Sequence, residues 1–315
     1  MKERDGVLPQ RRERLCYKPS WNGRLADLSH LACISSSMAP WHSRLQLQFS
    51  AEAARTVLRH QHEGGLRALA SHYPEDPGIC HQVLVHPPGG LVGGDILDID
   101  LSVQEGAHAL VTTPGAGRFY RSTGAPARQT LEARLASGAR LEWLPLETLA
   151  YSDCLGENRS RFHLAPGAEL MAWDLLALGL PAADAAFRAG RFTQHIELPG
   201  IWLERGCIAG DDDALLHGPG GLRGHAALAT LFFAAGSPLA AQRREALLDA
   251  ARQAADEAQQ ASVLFGATAP HAQIVALRVL GHRIEPVAAL CRAVWAAWRQ
   301  TGWGVGACAP RVWST

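Results

Sequence analysis

The chain has 315 residues, 47% hydrophobic and 19% charged, which is enough apolar content for a sizeable core and excludes a disordered polyelectrolyte. Thirty basic residues balance thirty acidic ones, so there is no electrostatic footprint for nucleic acid or for an anionic membrane surface. No apolar run reaches the roughly 18 to 20 residues of a spanning helix and no compact leader precedes a small-residue cleavage site, so a cytoplasmic protein is expected.

Residues 1–37 mix Arg11-Arg12-Glu13-Arg14 with Ser35-Ser36-Ser37 and lack sustained periodicity, which predicts a disordered extension. From Arg44, strict alternation begins: Leu45, Leu47 and Phe49 face one way and Arg44, Gln46 and Gln48 the other, the pattern of a half-buried strand. The run His86-Pro87-Pro88-Gly89-Gly90-Leu91-Val92-Gly93-Gly94-Asp95 follows. Glycine supplies positive φ and close backbone approach, and each proline fixes φ and removes a donor, so this is a shaped loop. Alternation returns at Leu97, Ile99, Leu101 and Val103. The pairs Gly106-Ala107, Gly138-Ala139 and Gly167-Ala168 then mark three similar turns, each between two strands, a weak internal repeat. Their hairpin-like character predicts an elongated, layered, mostly antiparallel β body over about 41–235, and their uneven spacing argues against a simple solenoid.

Helical signals come last. Ser237-Pro238 reads as an N-cap followed by proline at the first helical position, opening a helix to about Gln260. Gln273–Leu280 reads as a strand. After Glu285-Pro286, residues Val287, Leu290, Cys291, Val294, Trp295 and Trp298 repeat at helical spacing, which places both tryptophans in a core. The fold class is therefore mainly β: a layered β-sheet or β-helix-like body at 38–235 and a small C-terminal α/β portion with two helices at 236–315, packed on that body. The seven cysteines, at 16, 33, 80, 154, 207, 291 and 308, are scattered with no CxxC pair, unlike a disulfide framework or a zinc ribbon.

Chemistry is not advertised by spacing. A phosphate-binding loop would need Lys and Ser/Thr after the last glycine, where Asp95 stands, and a dinucleotide loop would lead into a helix rather than a strand. No GxSxG elbow and no HExxH helix occurs. One reading that needs no such motif is a β-helical enzyme whose stacked strands line a groove for an extended substrate.

Several segments together resemble the urease accessory protein UreD (UreH) family. These are His86–Asp95, Thr112-Thr113-Pro114 leading to Arg118-Phe119-Tyr120-Arg121-Ser122, Leu141-Glu142-Trp143-Leu144-Pro145, Leu170-Met171-Ala172-Trp173-Asp174, Leu178-Gly179 and Glu204-Arg205. The resemblance covers about Trp41 to the C-terminus, and Met38 becomes a candidate start. It implies a non-catalytic scaffold that binds UreF, UreG and apo-urease and assists nickel delivery, with no tightly bound cofactor and only transient nickel. Nickel accepts imidazole, carboxylate and water, and a conduit must hold it weakly enough to release it, so the lack of a compact Cys/His chelating motif is compatible with transfer.

Within the matched segments the candidate nickel-path residues are His86, Asp95, Glu142, Glu147, Asp174 and Glu204. The motif loop is Pro87, Pro88, Gly89, Gly90, Gly93 and Gly94. Arg118, Tyr120 and Arg121 form a candidate partner-binding edge, with Phe119 on the buried side. Each carboxylate also has a structural reading: Asp95 as a turn cap, Glu204-Arg205 as an ion pair. Three places depart from the family pattern, the first being Leu146 where the family usually has Gln after Leu-Pro. Leu180 replaces the usual Arg, and Asp184-Ala185 replaces the usual Gly-Glu pair.

Overall fold

A computed structural model describes residues 41–122, 124–258 and 262–314. The expectations for residues 1–37 and for Met38 lie outside these. The strands are β1 (His42–Glu52), β2 (Arg55–Glu63), β3 (Arg67–Ala68), β4 (Ile79–Val85), β5 (Ile96–Val103), β6 (His108–Thr112), β7 (Gly117–Phe119), β8 (Ala127–Leu135), β9 (Arg140–Leu144), β10 (Thr148–Ala150), β11 (Cys154–Leu164), β12 (Glu169–Leu178), β13 (Gly190–Leu198) and β14 (Trp202–Ala209). A short helix α1 (Asp213–His217) precedes β15 (Ala227–Ala235), and α2 (Ala241–Glu257), β16 (Val263–His271), β17 (Ile274–Gly281) and α3 (Ile284–Trp298) complete the fold.

From β4 to β13, apart from the short β7 and β10, successive strands alternate between two stacked sheets. The first runs β14-β13-β11-β8-β5-β1-β2 and the second β16-β17-β15-β12-β9-β6-β4-β3, with β7 and β10 paired beside β12. Pairing along β1-β5-β8-β11-β13 and along β4-β6-β9-β12 is parallel. The mostly antiparallel expectation is therefore corrected, as are the hairpin-like reading and the case against a solenoid. Gly106, Gly138 and Gly167 have φ of 70°, 68° and 80°, and each turn carries the chain from one sheet into the other rather than back beside itself. Successive turns stack: Arg140 donates to the Ala107 carbonyl and Glu169 to the Ala139 carbonyl, both at 2.9 Å. A turn residue that needs positive φ serves a hairpin and a sheet-to-sheet corner equally well, so the sequence signal does not tell them apart. The uneven spacing is taken up in the return segments that hold β7 and β10.

The two sheets carry different hydrophobic patterns. β1 alternates exposed and buried residues because the outer face of the first sheet meets solvent. β6 and β12 are almost continuously buried, because the second sheet packs against the first on one side and against α2 and α3 on the other. One core therefore lies between the sheets, with Phe49, Leu101, Phe162, Leu170 and Phe232. The other lies under the helices, with Trp173, Phe233, Leu247, Val294, Trp295 and Trp298. All six members of the helical stripe from Val287 to Trp298 are buried, as its period required.

Helix α2 begins at Ala241 with Ala240 at its cap position, not at Ser237-Pro238. The Ser237 hydroxyl instead accepts from the Gly167 N–H at 3.2 Å, and Leu239 N–H donates to the Ala272 carbonyl at 2.9 Å. These bonds hold the segment extended and delay the helix. Cys80, Cys154, Cys207, Cys291 and Cys308 are free thiols, and burial pushes Cys291 up to about 12. No helix among the described residues is long and apolar enough to cross a membrane.

Candidate functional site

The glycine loop roofs one end of the space between the sheets. Gly89 and Gly94 adopt φ of 80° and 93°, conformations that side chains with a Cβ resist. The loop is stitched to the following segment by Leu91 N–H to the Arg118 carbonyl at 2.7 Å and Tyr120 N–H to the Leu91 carbonyl at 2.9 Å. Arg118 donates through Nη1 to the Gly89 carbonyl at 3.1 Å, and the Tyr120 ring occupies the space a Cβ on Gly90 would need. Arg118 and Tyr120 thus build the loop, Arg121 is exposed, and Phe119 is buried on the opposite side. Asp95 closes the turn: its carboxylate accepts from Val92 N–H at 2.9 Å and Trp41 N–H at 3.3 Å.

Beneath the loop is a cavity of about 330 Å³ lined by His86, Gly90, Leu97, Gln129 and Trp143. Burial pushes the His86 imidazole down, against an opposing pull from the Asp95 carboxylate. A second cavity of about 60 Å³ shares the walls Gln129, Trp143 and Pro145 and reaches Asn158 and Asp174. A chain of polar side chains crosses it. Gln129 donates to Asn158 at 3.3 Å, and Asn158 Nδ2 and Gln194 Nε2 donate to the two Asp174 oxygens at 3.1 and 3.0 Å. Burial raises Asp174 to about 6, opposed by the Gln194 bond, reinforced by the nearby Glu204 charge and opposed again by Asn158. Glu204 accepts from the Thr230 hydroxyl at 2.8 Å and from Arg278 at 3.1 and 2.6 Å. Its ionic partner is Arg278 on β17, not Arg205, because neighbours along a strand point to opposite faces.

The other two candidate carboxylates lie elsewhere. Glu142 is wholly buried, but on the helix side of the second sheet, where it accepts from His108 at 2.8 Å and Trp295 Nε1 at 2.5 Å. Arg299 Nε lies 3.8 Å away, and Arg299 forms a two-pronged bond to Glu75 at 3.1 and 2.6 Å, with His81 on the same carboxylate at 2.7 Å. Burial would raise Glu75, but His81 and Arg299 outweigh it and hold the group below its ordinary value. Glu142 therefore does not line the space between the sheets that holds Asp174. Glu147 is half-buried and its carboxylate makes no hydrogen bond or ion pair with any described residue; its carbonyl accepts from Gly117 N–H at 2.9 Å. Among the described residues, no three His, Cys, Asp or Glu side chains come together as a metal cluster.

The family described as UreD urease accessory protein matches residues 42–314. The chain belongs to the UreD family. It is similar to the urease accessory protein UreD of Paracidovorax citrulli, 58% identical over 274 residues that cover 87% of this chain and 99% of the relative. The UreD proteins of Variovorax paradoxus and of a Polaromonas species are 55% and 54% identical over the same shares.

Within this UreD chain, Leu146 lines the smaller cavity, and the departures at Leu180 and Asp184-Ala185 fall on one short turn. Leu180 and Ala185 exchange backbone bonds at 2.6 and 3.1 Å, and Asp184 is exposed at φ 55°, outside both cavities. Sequence reasoning did not single out Gln129, Asn158 and Gln194. Their only signal is a polar residue at an inward position of an alternating strand; β8 and β13 each carry one and β11 carries two, Asn158 and Ser160.

Proposed function

We propose that this protein acts in urease maturation as a non-catalytic scaffold that binds UreF, UreG and apo-urease and assists nickel delivery to the urease active site. Family membership supports the accessory role. The observation that carries the finer reading is the interior chain of Gln129, Asn158, Asp174 and Gln194 beside two cavities that share a wall. Amide and carboxylate oxygens with water are adequate but weak ligands for a divalent nickel ion, and a transit path requires sites attractive enough to admit the ion and weak enough to release it. His86 under the loop and Glu204 beside Asp174 extend the same series of donors.

The test is the double variant Asp174→Asn/Glu204→Gln, co-purified with UreF and UreG and used to mature apo-urease with limiting nickel. The expected result is an assembled complex that loads several-fold less nickel into urease than the parent. Full loading by an assembled complex would overturn the transfer reading and leave the scaffold role. Failure to co-purify with UreF, with the fold intact by thermal unfolding, would count against the separation of path from docking surface.

A further inference from the structure

The described histidines fall into two kinds. His42, His81, His108, His163, His195 and His217 each meet a carboxylate, at 2.6, 2.7, 2.8, 2.5, 3.0 and 2.8 Å. His60, His62, His72, His86, His225, His271 and His282 do not; of these, His225 and His282 stack at 4.4 Å with His225 held by the Leu222 carbonyl, whereas His60 and His62 are a second close pair without such a bond. Both are exposed, and neither ring has a hydrogen bond or ion pair with any described residue. They stand two apart on β2, opposite Leu47 and Leu45 of β1, so both rings leave the strand on one face. Because β2 is the terminal strand of the first sheet, solvent reaches the rings freely.

The spacing is suited to one ion. The ring centres are 6.1 Å apart and the planes are inclined by 21°. With a nitrogen about 2.1 Å from the metal, two imidazoles on adjacent octahedral or tetrahedral positions have centres about 4.5 to 5.5 Å apart, so the two rings need to close by about 1 Å. Rotation about each exposed side chain turns a nitrogen of each ring toward the common point without moving the backbone. Imidazole suits nickel, zinc and copper, whereas magnesium and calcium prefer oxygen. We propose that His60 and His62 form a two-imidazole surface site for a divalent nickel or zinc ion, with water filling the remaining positions. Two protein ligands instead of four make this an exchanging site rather than a structural one. It shares no residue with the interior chain around Asp174 and does not depend on the transfer reading.

The full chain should be titrated with Ni²⁺ alone and with Zn²⁺ alone by equilibrium dialysis, and the paramagnetic broadening by Ni²⁺ followed on histidine ring resonances. The parent is expected to lose the His60 and His62 ring signals first. The variant His60→Gln/His62→Gln is expected to bind at least ten-fold more weakly at the strongest site with an unchanged unfolding midpoint, and His60→Gln alone to fall in between. The control His271→Gln/His282→Gln should bind as the parent does. Unchanged affinity in the His60/His62 variant, first broadening at other histidines, or loss confined to the control would each overturn the proposal.

Discussion

The space between the two sheets and the seam between the second sheet and the helices each bury a carboxylate, and they surround it oppositely. Glu142, in the seam, meets an imidazole, an indole N–H and a guanidinium. Asp174, between the sheets, meets two neutral amides and a second carboxylate, Glu204, beside open volume. A buried charge is tolerated when it is paired and costly when only amides face it. The seam therefore acts as a lock that fixes α3 to the β body. The inter-sheet space keeps a partly compensated carboxylate, a poor way to add stability and a suitable way to present a weak ligand.

The largest expected effect is in the lock. Glu142→Ala leaves the Trp295 N–H and His108 without their shared acceptor and removes the charge 3.8 Å from Arg299 Nε, which keeps its bonds to Glu75, and removing one partner of a buried ionic group costs about 3–5 kcal/mol. Urea denaturation at pH 7.5 should show this loss, with Glu142→Gln less affected because its amide oxygen still accepts. Asp174→Asn should be near neutral or stabilising under the same conditions. A Glu142→Ala loss below about 1 kcal/mol, or a comparable loss for Asp174→Asn, would erase the distinction between the two regions.

The pH dependence sharpens the same contrast. Asp174 is raised from 3.8 to about 6 in the fold, so between about pH 4 and pH 6 the folded state holds a proton that the unfolded state has released. Stability from this group rises as pH falls through 6 and levels off near the unfolded value, a change on the order of 2–3 kcal/mol. Glu75 has the opposite sign: lowered in the fold by His81 and Arg299, it stabilises above its unfolded value and loses that contribution as pH falls. Comparing the parent with Asp174→Asn from pH 4.5 to 7.5 isolates the first effect. Identical pH profiles would mean that Asp174 is ionised in the fold without cost.

At the loop that roofs the inter-sheet space, shape matters more than polarity. Gly94→Val places a β-branched residue at φ 93°, a strain of about 1–3 kcal/mol. Ser122→Ala removes one hydroxyl bond to the Ala125 carbonyl, 2.5 Å long and exposed, and should cost about 1 kcal/mol or less. Soluble yield and unfolding midpoints rank the pair. Equal behaviour would remove the argument that the loop needs positive φ.

Much of this fold is legible in the sequence because it rests on period. The alternation from Arg44 to Phe49 and the helical stripe from Val287 to Trp298 are local patterns with one structural solution. Strand direction is not local. The three glycine turns read alike whether the chain folds back or steps across to another sheet, so the parallel stacking was missed. The site divides in the same way. Asp174 and Glu204 lie in segments that resemble the family, but Asn158 and Gln194 come from strands of the sheet that faces Asp174, and nothing along the chain announces that they converge. Glu142 sits in the same kind of segment, yet a one-residue change of strand parity sends it to the other face, where Arg299, far away in sequence, determines its role.

The smallest expected effects concern the two remaining carboxylates, Asp95 and Glu147, which differ in what holds them. Asp95 accepts two backbone N–H bonds at the end of the loop, much as a capping carboxylate does, so Asp95→Ala should cost about 0.5–2 kcal/mol. The Glu147 carboxylate has no such partners among the described residues, and Glu147→Ala should stay within about 0.5 kcal/mol of the parent. Because Glu147 contributes so little to the fold, any loss of nickel loading in the Glu147→Ala complex would report on transfer alone. Asp95→Ala alters the loop and transfer together, and Asp95→Asn separates them, since the amide oxygen still accepts from Val92 while the charge is gone. If Asp95→Asn loads urease normally and Asp95→Ala does not, the carboxylate is a turn cap and the proposed path would begin deeper, at His86 or below. If both fail with the complex intact, the charge itself is required at the mouth of the inter-sheet space.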